Sequence, residues 1–323
     1  MKVSRVVRTV LAWGVVAPSV AWTVFRRLEL ESGYPLVPLV AFSSYLAVAA
    51  VIPVIVALLL RRPFAAAVGA LAAVLLLWDI APRVLAEDPP AGRTPVRIMS
   101  LNLLTGIASP GAVVALAERE EVDIIALQEL TPEAIERLDA SGLGRRFPLR
   151  ELRPVRGSRG SGIYASSAIR LEPLPDFRAR EERVFRTARA DLGVAGAAPF
   201  EMLSIHLNSP KTDPAVRAWE GDFAALPPAT PKGPLRMLVG DFNATLDHRV
   251  FRELLDKGYR DAAEVAGAGL EPTREADERL PLPTTIDHVV VDERIGVARF
   301  SAHEVPGSDH RAVIATLALP RAR

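Results

Sequence analysis

The first 86 residues hold most of this chain's excess hydrophobicity, and that segregation constrains the fold more than any other feature. Thr9 to Phe25 carries no charge, nor does Tyr34 to Leu60, nor Pro63 to Trp78, which Asp79 follows directly. A helix crossing a bilayer needs about 20 mostly apolar residues. The middle stretch reaches that length alone, although Pro35, Pro38 and Pro53 interrupt it. The outer two reach it with flanking residues such as Val6, Val7, Ile80 and Pro82. Core helices of a soluble domain normally keep a polar face, and these stretches have none. The expectation is a membrane domain over residues 1–86 with about three transmembrane helices, near residues 6–25, 35–60 and 63–83.

Basic residues favour the cytoplasmic side. Lys2, Arg5 and Arg8 precede the first span, and Arg61 and Arg62 fill the turn between the second and third. This bias puts the N-terminus and that turn inside, and everything after the third span outside. Arg26 and Arg27 run against it, but Glu29 and Glu31 share their loop. A rival reading takes the first span as a signal peptide cleaved near Ser19-Val20-Ala21. Apolar residues continue past that triplet, which favours a retained anchor, and both readings deliver the C-terminal part to the outer face. The expected localisation is therefore the cell membrane, multi-pass, with an extracytoplasmic domain. Residues 87–95 form a polar linker in which Pro89, Pro90 and Pro95 prevent helix continuation. A dozen residues reach at most about 40 Å, so the domain over residues 96–323 stays near the lipid headgroups.

That domain alternates short β-type runs with helical or turn segments. Arg97–Asn102, Asp123–Leu127, Ser161–Ala165, Phe185–Leu192, Phe200–Leu207, Leu235–Gly240, Ile286–Val291 and Ala312–Leu317 read as strands. Pro110–Glu120 reads as a helix capped by Ser109. A second begins at Pro132 behind Thr131, and His248–Lys257 is a third, closed by Gly258. Strands with helices between them point to an α/β fold. Neither GxGxxG nor GxxxxGK[ST] is present, so the usual nucleotide folds are excluded. Without cysteine the chain has no disulfide, thiolate metal site or cysteine nucleophile. A net charge of +1 gives nucleic acid no overall electrostatic attraction.

Four strand candidates end in polar side chains suited to metal or phosphate, Asn102, Gln128-Glu129, His206-Leu207-Asn208 and Asp241-Phe242-Asn243, and Asp309-His310 stands just before the last strand. Asp287-His288 opens another. Strand ends of layered α/β folds are where sites are built. Strand alternation would put Asp241 and Asn243 on one face if the strand continued. His310 needs a carboxylate to fix its tautomer, and Asp287 is the best candidate. Leu203, Ile205 and Leu207 face away from His206. Hard oxygen donors with few histidines suggest Mg²⁺, or Mn²⁺, rather than zinc. Glu129 with Asn102 or Asp309 would suffice to hold it. No Gly-x-Ser-x-Gly elbow supports a covalent acyl mechanism.

The ordered set Ser100-Leu-Asn102, Leu127-Gln-Glu129, Ser204-Ile-His206-Leu, Gly240-Asp-Phe-Asn243, Thr285-Ile-Asp287-His and Ser308-Asp-His310 resembles the endonuclease/exonuclease/phosphatase superfamily from about Val96 to Leu319. The resemblance implies a four-layer α/β sandwich, two mixed β-sheets face to face flanked by helices, and phosphate-ester cleavage by direct water attack. It implies Glu129 as the main Mg²⁺ ligand, with Asn102 and Asp309 beside it. Asp241 and Asn243 would position or activate water and hold the phosphoryl group. His206 would assist the leaving group. The Asp287–His310 pair would bind the scissile phosphate or act as base. With its N-terminal spans, the layout looks like VanJ-type membrane proteins, which are linked to phosphatase action on undecaprenyl pyrophosphate.

The leading expectation is a metal-dependent phosphatase acting on a lipid-linked phosphate or pyrophosphate at the outer face. A phosphodiesterase, nuclease or sphingomyelinase-like, is the alternative. An inactive membrane-tethered binding module is the third, disfavoured because Glu129, Asp241, Asn243, Asp287 and His310 are all present. The expected partner is a membrane lipid or lipid-linked phosphate, with nucleic acid second and no protein partner. Arg145, Arg146, Arg150, Arg153, Arg156 and Arg159 form a basic segment suited to anionic headgroups or pyrophosphate, or simply a solvated loop.

Overall fold

The computed structural model describes residues 4–175, 187–277 and 281–322. Its N-terminal part is helical: α1 Arg5–Arg27, α2 Leu36–Val40, α3 Ser43–Ala49, α4 Val51–Leu59 and α5 Pro63–Ile80, the last running into a 3₁₀ turn, Ala81–Val84. Two helices are long and apolar enough to cross a membrane, Arg5–Arg27 with 23 residues and Pro63–Val84 with 22. The middle stretch departs from the expected 35–60 span. Only Ser43–Leu59 forms a continuous apolar helix. At 1.5 Å per residue it covers about 25 Å, short of a hydrocarbon core of about 30 Å. The missing part has a different use. α2 lies beside the C-terminal domain, and Val37 is buried in that domain's own core with Trp219 and Phe251.

The domain beyond holds β1 Thr94–Asn102, α6 Pro110–Arg119, β2 Ile124–Gln128, α7 Pro132–Ala140, α8 Leu143–Arg146, β3 Leu149–Arg153, β4 Ser161–Ala165, β5 Ile169–Pro173 and β6 Arg189–Val194. Then follow β7 Phe200–His206, α9 Asp213–Ala225, β8 Leu235–Asp241, α10 Arg249–Leu255, β9 Tyr259–Asp261, α11 Ala262–Val265, β10 Asp287–Asp292, β11 Gly296–Glu304 and β12 Arg311–Leu319. The first two residues of the expected 185–192 strand lie outside the described residues. Two six-stranded mixed sheets form, ordered β11-β12-β1-β2-β4-β3 and β5-β6-β7-β8-β10-β9. Each contains one parallel pair, β1 with β2 and β7 with β8.

Strand alternation builds the layers. Val96 and Ile98 of β1, Ile124 and Ala126 of β2, Phe200 and Met202 of β7, Met237 and Val239 of β8, and Val289 and Val291 of β10 fill the core between the sheets. Met99, Leu101, Ile125 and Leu127 face outward beneath α6 and α7. Leu203, Ile205, Leu238 and Val290 face outward beneath α9 and α10. The caps follow the sequence. Thr131 Oγ1 accepts from Ala134 N at 3.1 Å, and Gly258 takes the left-handed conformation that ends α10. Ser109 occupies the cap position of α6 but its hydroxyl makes no cap hydrogen bond.

The linker is not a free tether. Glu87 N donates to Val265 O at 2.9 Å, and Pro90 lies so close to Gly296 that a Cβ there would sit 2.6 Å from Pro90 Cδ. The helices are also clamped to the domain by a buried ionic cluster. Both terminal nitrogens of Arg83 donate to Asp247 at 2.9 Å, Ser44 Oγ donates to Asp247 at 3.1 Å, and Arg26 pairs with Glu31 at 3.0 Å. Glu31 in turn accepts from Arg249 N at 2.5 Å.

Candidate active site at one end of the sandwich

The parity that sends Ile98, Ala126, Met202, Val239 and Val289 between the sheets also sends Ser100, Asn102, Gln128, Ser204, Asp241 and Asp287 there. Polar residues replace apolar ones as the strands reach one end of the sandwich. Ser100 Oγ donates to Gln128 Oε1 at 3.2 Å, Gln128 Nε2 to Ser204 Oγ at 3.1 Å, and Ser204 Oγ to Leu127 O at 3.1 Å. This buried chain ties the two sheets beneath the site. Gly240 permits it. A Cβ there would lie 2.0 Å from Ile205 O and 2.9 Å from Gln128 Nε2, and its φ is +148°.

Above that floor, Asn102 Nδ2 lies 3.3 Å from Glu129 Oε1 and 3.2 Å from Asp241 Oδ2, while its Oδ1 accepts from Leu104 N at 3.0 Å. Two carboxylates can only accept here, so the amide orientation is fixed and Asn102 braces both acids. Glu129 has a left-handed backbone, φ 55°, as do Leu104 and Thr105 facing it. Thr105 N donates to Glu129 Oε2 at 2.6 Å. Strained backbone gathers where geometry must be held against preference.

His206 Nδ1 donates to Ser158 O at 2.9 Å, since a carbonyl only accepts. That leaves Nε2 facing Asp241 Oδ2 at 3.6 Å and Glu129 Oε1 at 3.8 Å. β8 ends at Asp241, so Asn243 does not simply share its face. Phe242 N donates to Ile286 O and Trp219 Nε1 to Phe242 O, both at 3.0 Å, which turns the chain. Asn243, at φ 47°, donates its backbone N–H to Asp241 Oδ1 at 2.8 Å and its side-chain amide to Leu207 O at 3.0 Å.

His310 lies across from Asp241. Its Nδ1 is 2.9 Å from one Asp287 carboxylate oxygen and 3.0 Å from the other, while Nε2 faces Asp241 Oδ2 at 3.8 Å. Thr273, which sequence reasoning did not single out, donates to Asp287 Oδ2 at 2.8 Å and accepts from Ile286 N and Asp287 N. Burial alone would depress the His310 imidazolium. Asp287, Asp241 and Asp309 outweigh it and raise the pKa to about 9. His288, next to Asp287 but of opposite parity, is structural. Its two nitrogens reach Asp261 and Ala244 O, both at 2.8 Å.

Asp241, Asp287 and His310 each offer an atom within 4.8 Å of the others, a group able to hold a metal ion. The expected ligand set Asn102, Glu129 and Asp309 adjoins it. Asp309 Oδ1 is buried without a hydrogen-bond partner, while Asp309 Oδ2 accepts from Arg274 Nη2 at 3.1 Å. An orphaned carboxylate oxygen beside further carboxylates fits a divalent cation. Three arginines of the basic segment are paired with acids. Arg150 pairs with Asp139, Arg153 with Glu151 and Arg156 with Glu133, at 2.9, 2.6 and 3.0 Å.

Residues 99–310 match the endonuclease/exonuclease/phosphatase family. The chain belongs to that family. Its members are generally phosphoester hydrolases and typically use divalent metal ions. No curated protein matches the chain. Among solved structures, an endonuclease/exonuclease/phosphatase from Bacteroides vulgatus is 17% identical, with 70% of this chain and 100% of that one covered and a TM-score of 0.57. TDP2 of D. rerio, humanised by 14 mutations, is 16% identical over 69% of this chain and 98% of that one, with a TM-score of 0.56. D. rerio TDP2 complexed with single-strand DNA product gives 15%, 69%, 99% and 0.52. At such identities the likeness is one of fold, and it confirms the paired mixed sheets with flanking helices.

Proposed function

We propose that this chain is a membrane-anchored, Mg²⁺-dependent phosphatase that hydrolyses a lipid-linked phosphate or pyrophosphate, of the undecaprenyl pyrophosphate type, at the outer face of the membrane. One observation carries the reading. The loop that leaves β8 with Asp241 and Asn243 runs within a few residues into Asp247 and His248, which grip Arg83, Ser44 and Val37 of the apolar helices. The reaction centre and the helices able to enter a bilayer thus share one loop. A soluble substrate gains nothing from that arrangement, and a net charge of +1 does little to gather DNA.

A bound divalent ion would neutralise charge on the phosphoryl oxygens and the leaving group. Glu129 and Asp309 would hold it, with Asn102 keeping Glu129 in place. Asp241 is set to orient the attacking water and accept its proton, steadied by Asn102 and by the Asn243 N–H. His310, cationic at neutral pH, directs Nε2–H at a phosphoryl oxygen, and Asp287 accepts from Nδ1–H and fixes the ring's orientation. His206 Nε2 lies where a leaving oxygen could be met. Water would add to the terminal phosphorus as the bridging P–O bond breaks, giving inorganic phosphate and the lipid monophosphate.

The test is phosphate release from undecaprenyl pyrophosphate by detergent-purified full-length protein, with and without Mg²⁺, beside Asp241→Ala. Metal-dependent release absent from the variant supports the proposal. Cleavage of DNA or phosphodiester lipids in place of the pyrophosphate would replace it with the phosphodiesterase reading. A folded protein inactive on all of these would leave a binding module.

A further inference from the structure

A groove of about 540 Å³ lies between the α3–α4 helix and the loop that carries Thr273 and Thr284. Tyr45, Val48 and Ile52 line one wall, and Leu246, Leu270 and Pro272 the other. Its volume suits a sizeable organic ligand, and its walls are mainly apolar. The two ends differ. On the helix side, Val48 and Ile52 are about 60% exposed, and the apolar surface continues through exposed Ile55 and Leu59 towards the far end of the helix. On the loop side, the lining residues Pro272, Pro283, Thr284 and Thr285 are immediate chain neighbours of the reaction centre. Thr273 holds Asp287, Ile286 precedes it, and Arg274, bridged to Thr284 and His310, holds Asp309. Tyr45 Oη donates to Pro283 O at 2.8 Å, fastening the loop to the helix.

We infer that this groove receives the apolar chain of the substrate, the segment next to the phosphate, as it leaves the bilayer for the catalytic centre. The inference rests on the membrane-phosphatase reading and adds to it a determinant of chain specificity. Its basis is continuity. The apolar face of one helix becomes the wall of the groove, and the opposite wall is the strap that holds Asp287 and Asp309. Burial of apolar surface supplies the affinity, so the gain scales with the length of chain the groove can cover. A water-soluble pyrophosphate with a five-carbon tail would use the same catalytic residues and little of the groove.

Ala49 lines the groove and is exposed, so Ala49→Phe fills it without disturbing a packed core. Ile52→Trp does the same further from the loop. The experiment compares kcat/KM for undecaprenyl pyrophosphate in mixed micelles and for a five-carbon prenyl pyrophosphate in solution, using full-length protein. Each variant is expected to lose tenfold or more on the long substrate and to stay within twofold on the short one, which also reports intact folding. Equal loss on both substrates, or no loss on either, overturns the groove while wild-type hydrolysis of the long substrate keeps the parent reading. Wild-type protein that releases phosphate from neither sinks both.

Discussion

The ionic cluster between the helices and the catalytic domain makes a quantitative prediction. Asp247 is 2% exposed, and both carboxylate oxygens are engaged by Arg83, with Ser44 and Arg26 close by. Burial alone would raise its carboxyl pKa, but Arg83 and Arg26 outweigh burial and hold it below the usual range. Replacing Arg83 with Met removes the main counter-charge and keeps most of the side-chain volume. Breaking a buried pair on one side costs about 3–5 kcal/mol. Arg26, at 3.5 Å, retains part of the compensation, so about 3 kcal/mol is expected. For a chain of 323 residues that corresponds to a fall in Tm of roughly 4–5 °C. The assay is thermal unfolding in a fixed detergent. The double variant Arg83→Met with Asp247→Leu removes the stranded charge and should recover at least half of the loss. A single variant within 1 °C of wild type, or a double variant less stable than the single, would refute the claim that this cluster bears on stability.

Other outcomes follow from the same geometry. Gly240→Ala forces a Cβ into Ile205 O at a positive φ, so a loss of about 3 kcal/mol or more, read as failure to recover folded protein, is expected. His248 is buried and its Nδ1 accepts from Thr245 N, so it stays neutral, with a pKa lowered to about 4 by burial. The unfolded chain then binds the extra proton first as pH falls through about 6.5, so His248 by itself contributes a loss of about 2 kcal/mol between pH 7 and pH 5, while His310, whose pKa is raised, contributes in the opposite sense. Denaturant series at both pH values on wild type and His248→Gln isolate the term, and the same pH dependence in both proteins would contradict the buried neutral ring. Asp287→Asn removes the anion that orients His310 and should lower kcat by about a hundredfold or more with little change in KM, measured on whichever phosphoester is turned over. Chelation should abolish activity. Asp309→Ala should raise the Mg²⁺ concentration for half-maximal rate about tenfold or more, and unchanged titration would remove Asp309 from the metal site.

The central strands were legible in the sequence and the outer ones were not. β1, β2, β7 and β8 are apolar runs that end in a polar group, β10 is one that opens on Asp287, and β12 is one that begins just after His310, because both of their faces are covered and these ends lie at the site. The strands that escaped notice are β3, β5, β9 and β11, the four edges of the two sheets. Edge strands carry charge to discourage pairing with other chains. Leu149-Arg-Glu-Leu-Arg153 accordingly read as part of a basic loop. α9 was also overlooked, although Thr212 capping it and Val216, Trp219 and Phe223 on one face were visible signals. In the site, Asp287 beside His310 followed from the need for a carboxylate. Thr273 did not, since a lone threonine far along the chain announces nothing until the fold brings it under Asp287. The middle apolar stretch misled for a simpler reason. Hydrophobicity does not say whether Val37 is buried in lipid or beneath a domain, and here it is buried beneath a domain.

The proline-rich linker is laid along the domain at Glu87 and Pro90. An enzyme on a slack tether samples a hemisphere of solution, and its rate follows bulk substrate concentration. A domain fastened at its foot cannot swing. On the membrane reading it meets only molecules that drift to it within the plane, so its turnover would be governed by molecules per unit area. Diluting the substrate with inert lipid at constant bulk concentration would then slow it, and diluting the suspension with buffer would not.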